Sequence, residues 1–138
     1  MEWLDLGGVN WIAVIIAVIV TFAVGGLWYS PRAFFPLWAR LGKLDREQLA
    51  NSNMTIAFGG TLIGTGLGVV LLAILMNALE VEGWAAGLAT GAVIGLIFRG
   101  GAHAIHNGFA ARHPGITLID VAHDTVQLAI AGAILGAF

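Results

Sequence analysis

Apolar positions in this chain run in long unbroken blocks instead of alternating with polar ones. Leu6 to Pro31, Gln48 to Leu79 and Thr125 to Phe138 contain no Asp, Glu, Lys or Arg, and each of the first two runs exceeds the ~20 residues that cross a hydrocarbon core. Four apolar segments follow from this pattern, at about Val9 to Tyr29, Met54 to Leu79, Trp84 to Ala110, and Ile116 to Phe138. They predict helices, because a helix satisfies its own backbone in lipid and the runs are longer than barrel strands of roughly 10 residues. The leader Met1 to Leu6 carries Glu2 and Asp5 where a signal peptide would be basic, so the first segment is expected to stay in the mature chain.

Composition strengthens the same picture. Of 138 residues 59% are hydrophobic and 10% charged, against roughly a quarter charged in soluble domains. The expected fold is all-α: one polytopic membrane domain over residues 1–138, with four transmembrane helices in a Gly-rich bundle. The formal net charge of -2 offers no basic face, which excludes nucleic acid as a partner. Without cysteine there is no disulfide framework and no thiol chemistry. Arg32, Arg40, Lys43 and Arg46 sit in the first connection and Arg112 in the third, while the amino terminus and the Glu80-Val81-Glu82 turn hold no Lys or Arg. The positive-inside rule puts these connections in the cytoplasm and both termini outside it. Between the first two spans, Phe34, Phe35, Leu37, Trp38 and Leu41 mix with Arg32, Arg40 and Lys43, a composition expected of an interfacial segment. Asn51, Ser52 or Asn53 is available to cap the second span.

Glycine, 20 residues in all, repeats at regular spacing. Gly60, Gly64 and Gly68 mark one face of the second span, Gly87, Gly91 and Gly95 the third, and Gly132 with Gly136 the fourth. Small residues at this spacing let helix backbones approach closely. The tight Glu80 to Gly83 turn predicts that the two longer stripes face each other, with at least one stripe serving a homo-oligomer or a larger membrane complex.

The polar residues within the spans gather near the third connection. At ~100° per residue, Arg99, His103 and His106 fall within about a 60° arc of the third span, roughly 90° from its glycine stripe; Asp120, His123, Asp124 and Gln127 fall within about a 100° arc of the fourth. A hairpin turning at Pro114-Gly115 would set residues whose numbers sum to about 229 at one depth. This pairs His106 with His123 and His103 with Val126 or Gln127, and leaves Arg99 to reach Asp124 across about 9 Å. Thr117 reads as the N-cap of the last span, with Asp120 near its exposed amides.

Arg99, His103, His106, His123, Asp124 and Gln127 therefore form the expected ligand, proton or ion site, since ionisable groups at this depth mark such paths. Each histidine alone also fits a hydrogen-bonded interior residue. His103, His106, His123 and Asp124 supply ligands suited to a divalent metal. There is no His-Glu-x-x-His spacing, no Gly-x-Ser-x-Gly elbow and no Walker loop in the chain, so covalent catalysis is disfavoured and no catalytic residue is assigned. Two readings follow. One is a membrane protein binding a proton, an ion or a small polar ligand, as a transporter or complex subunit. The other is a structural or assembly subunit that packs partner helices through its glycine stripes, with a membrane enzyme ranked after both.

The chain resembles the domain-of-unknown-function family 1761 of small bacterial membrane proteins. The resemblance rests on Asn10-Trp11 opening the first span, Gly26-Leu27-Trp28-Tyr29-Ser30-Pro31 closing it, and the ending Gly132-Ala133-Ile134-Leu135-Gly136-Ala137-Phe138. It implies a short helical bundle in a bacterial inner membrane and brings no activity or catalytic residues. Where relatives carry an acidic residue with Arg-Pro near the third connection, this chain has Asn107-Gly108-Phe109 and Arg112-His113-Pro114.

Overall fold

The structure, a computed structural model, describes residues 4–45, 47–48 and 51–138; Glu2 and Arg46 lie outside them. Asn10 starts the first helix by accepting from the amides of Ile12 and Ala13 at 3.1 and 3.2 Å, and α1 runs over Trp11–Trp28 until the chain turns at Ser30-Pro31, where proline supplies no amide. A seven-residue helix, α2, covers Phe35–Leu41 with proline in its first turn. Asn53 caps α3, Met54–Ala78, by accepting from the Ile56 amide at 3.0 Å. Gly83, at φ 85°, makes the left-handed turn into α4, Trp84–Phe109. The last helix, α5, spans Pro114–Leu135 and begins with the His113 ring accepting from the Gly115 amide at 3.0 Å.

Helices α1, α3, α4 and α5 hold 18, 25, 26 and 22 residues and are apolar enough to cross a membrane; at 1.5 Å per residue the shortest spans about 27 Å, close to a hydrocarbon core of ~30 Å. Ile12, Ile19, Leu27, Ile56, Ile63, Leu67, Phe98 and Leu118 stand well exposed. On a water-soluble protein such a surface would be an interaction liability; here it is the face offered to acyl chains.

The axis of the bundle is α5, whose membrane window is 44% buried against 22% for each of the others. Helix α4 packs along it through glycines. A Cβ at Gly87 would collide with the Gly132 carbonyl, and one at Gly91 with the Leu128 carbonyl. At Gly95 the added atom would sit 2.8 Å from the Asp124 carbonyl oxygen, and at Gly136 it would sit 2.6 Å from the Gly83 carbonyl oxygen. The α3 stripe is different: at Gly60, Gly64 and Gly68 nothing lies within 4 Å of such an atom. The expected pairing of the α3 and α4 stripes is therefore corrected. The α4 stripe fits the matching small-residue face of α5, while α3 leans mainly on α1 and touches α4 and α5 lightly. Its core contribution is Val69, Leu72, Ala73, Ile74 and Met76, which meet Val14 and Ala17 of α1 and Ala131 of α5 in one apolar cluster.

One irregularity explains how α4 directs both its glycines and its polar residues toward α5. Residues Gly95–Arg99 form a π-helical turn, which accommodates one residue more than an α-turn and so rotates everything after it by roughly 100° relative to an unbroken helix. That rotation cancels the roughly 90° separation expected between the stripe and Arg99 with His103. Both faces then lie on the same side of α4.

Candidate functional site

Three buried polar residues climb one face of α5 at successive turns: Asp120, Asp124 and Gln127. Asp120 was expected as a cap. The helix instead begins about one turn earlier, at His113 and Pro114, so Asp120 lies inside it, 9% exposed. Its Oδ1 accepts from the Tyr29 hydroxyl at 2.7 Å and from Trp38 Nε1 at 3.1 Å. Trp38 of α2 thus turns its indole inward, and α2 is held against the start of α5. Thr117 receives a hydrogen bond from Asn107 Nδ2 at 3.1 Å, tying the end of α4 to the start of α5.

Asp124 is the hub. Its Oδ2 accepts from Arg99 Nε at 2.8 Å and faces His103 Nε2 at 3.2 Å, while Oδ1 faces His123 Nδ1 at 2.9 Å. The carboxylate is 4% exposed, and a charge at such depth is costly unless it is matched. Arg99 supplies that match in direct contact, without the 9 Å gap of the expected register, because the π turn and the Ala110–His113 connection slide α4 along α5. Gln127, one turn further, donates from Nε2 to the Thr21 carbonyl oxygen at 3.2 Å and links α5 to α1.

The expected pairing of His106 with His123 does not form. Asn107 is the buried neighbour, and consecutive helical residues point ~100° apart, so His106 is exposed. His123 faces α1 instead, with its ring 5.0 Å from that of Tyr29 and 5.9 Å from that of Trp28, centre to centre. Gly25 makes room for it, since a Cβ there would lie 3.3 Å from His123 Nε2. Among the described residues no three His, Asp or Glu side chains gather in a metal-holding arrangement. His106 thus stands apart from the expected quartet, while His103 and His123 both touch Asp124.

Along the side facing α3, these groups line a cavity of about 660 Å³. Arg99, His103, Asp120, His123, Asp124 and Gln127 form its polar wall, and Phe22, Phe58, Gly60, Thr61 and Gly64 are among the residues opposite. The open α3 stripe is what makes this space, because small residues stand where larger ones would fill the gap. His123 Nε2 is buried and has no hydrogen-bond partner among the described residues. When the ring is neutral and donates its Nδ1 proton to Asp124, Nε2 carries a lone pair, which leaves a strong acceptor unused beside the cavity.

Sequence reasoning missed Tyr29 and Trp38, although both were singled out for other reasons. The available signal was a carboxylate one turn inside a membrane helix, which requires donors, and two polar-tipped aromatics at the same end of the bundle.

No curated protein and no solved structure matches this chain. The model of a family described as "Protein of unknown function (DUF1761)" matches residues 12–136, nearly the whole length, and the chain belongs to that family.

Proposed function

We propose that this membrane protein binds a proton or a small polar ligand in the cleft between α3 and the polar face of α5. The observation that carries the reading is His123: its imidazole is buried, hydrogen-bonded through Nδ1 to Asp124 and unpartnered at Nε2, beside a cavity large enough for a ligand. Buried histidine nitrogens are as a rule hydrogen-bonded, so the open Nε2 supports a role beyond packing. Arg99, His103 and Asp124 then set the charge around it, and Gln127 and Asp120 complete the polar wall.

Nitrogen-15 spectra of histidine-labelled protein in lipid nanodiscs test this directly. The expected result is a neutral His123 ring protonated at Nδ1 and bare at Nε2, the tautomer that its contact with Asp124 selects. Asp124→Asn should weaken that tautomer preference. A proton held at Nε2 in the parent protein would overturn the reading.

The polar cluster lies toward the end of the bundle that carries Arg32, Arg40, Lys43 and Arg112. We assign that end to the cytoplasm of a bacterial inner membrane and both termini to the opposite side. Reporter fusions after Phe138 and between Asp45 and Asn51 should report opposite sides; the same side for both would refute the assignment.

A further inference from the structure

We infer that the ligand is an amphiphile with a protonated amine head and an apolar tail, an inference that rests on the polar cleft being a binding site. A second cavity of about 560 Å³ adjoins the first and shares Gly64, Thr65, Arg99 and Gln127 with it. Beyond those shared residues and Thr21 its walls are apolar, with Gly68, Leu71, Leu75, Phe98 and Leu128 among them. The two spaces form one trough along α3, polar at the end near Asp120 and hydrocarbon at the end near Leu75. The glycine stripe keeps its floor low: Gly60, Gly64 and Gly68 all face open space.

The charge of the polar end selects the head group. Arg99 and Asp124 neutralise each other at 2.8 Å. Asp120 is held by two uncharged donors, Tyr29 and Trp38, and among the described residues no cation touches it. A negative site in a membrane interior calls for a cation. The vacant hydrogen-bonding positions agree, because among the described residues nothing bonds to Asp120 Oδ2, Gln127 Oε1 or His123 Nε2. An ammonium group supplies both the positive charge and N–H donors. An anionic head would bring a second negative charge beside Asp120.

The test uses purified protein in phosphatidylcholine nanodiscs and three radiolabelled probes: decylamine, ethylamine and decanoate. Decylamine is expected to bind saturably at one per chain, with ethylamine and decanoate roughly tenfold weaker or worse. Asp120→Asn keeps an acceptor for Tyr29 and Trp38 while removing the charge, and should cost decylamine at least about tenfold. Gly68→Leu fills the apolar end at a position with open space, so it should remove the advantage of decylamine over ethylamine and leave ethylamine unchanged. Equal binding of ethylamine and decylamine, or a chain-length advantage that survives Gly68→Leu, would show that the apolar end is unused. Equal binding of decanoate would refute the cationic head. Dissociation of an oligomer by Gly68→Leu would make the trough a seam between copies of this chain and defeat the inference. Absence of saturable binding of all three probes would defeat it too. In each of these cases the His123 tautomer decides separately whether the polar site stands.

Discussion

Gly91→Leu is expected to separate α4 from α5 and lower the stability of the bundle by about 3 kcal/mol or more, the upper end of overpacking costs. Even a Cβ at this position would collide with the backbone carbonyl of Leu128. A flexible side chain could move aside; a helix backbone cannot, short of parting the two helices. Parting them would also loosen the contacts of Gly87 with Gly132 and of Gly95 with Asp124, so the loss spreads along the whole seam. Gly64→Leu is the matched control. It belongs to a stripe of the same period but faces open space, and its effect on unfolding should stay within ~0.5 kcal/mol. Equilibrium unfolding of both variants in lipid nanodiscs, followed by circular dichroism, separates the two cases. Equal losses at Gly64 and Gly91, or a tolerated leucine at Gly91, would show that the assignment of the two faces is wrong.

That contrast also marks what could and could not be read from the chain. Helix existence was legible because uncharged runs longer than a bilayer leave few alternatives: the expected starts at Met54 and Trp84 are the observed ones. The caps were legible where one side chain decides the matter, as at Asn53. Glycine periodicity showed which side of each helix is flat, but a flat side does not name its partner. The short Ala110–His113 connection makes α4 and α5 antiparallel neighbours just as the Glu80 to Gly83 turn does for α3 and α4, and the matching stripe on α5 won.

The site was half legible for a related reason. Arg99, His103, His123, Asp124 and Gln127 were named from their depth and shared faces, and all five line the cavity. His106 was not separable from them, because it shares their arc on a helical wheel, and only the packing of Asn107 against Thr117 shows which edge of that arc turns inward. No residue type in Gly-Leu-Ile-Phe-Arg announces the π turn at Gly95–Arg99. It follows from packing, where Gly95 meets the backbone of Asp124 and Thr125 and the carboxylate below draws Arg99 inward. Asp120 was misread because Thr117 offered a plausible cap, although Pro114 in the first turn was the better start signal.

The Arg99 and Asp124 pair should behave as one unit in a double-mutant cycle. Arg99→Met leaves a carboxylate that is 4% exposed without its cation, and is expected to cost about 2 to 3 kcal/mol. Asp124→Leu leaves Arg99, whose side chain is 51% exposed and can extend toward water, so the loss should be smaller, about 1 to 2 kcal/mol. The asymmetry follows from burial: the buried partner suffers more when abandoned. In the double variant neither charge remains, and Met and Leu can pack against each other between α4 and α5. Its loss should therefore fall short of the sum of the single losses by about 1 kcal/mol or more. Unfolding free energies of the four proteins in nanodiscs at one pH supply the cycle. Additivity within ~0.4 kcal/mol would mean that the contact at 2.8 Å contributes little, and that the other polar contacts of α5 hold this face in place.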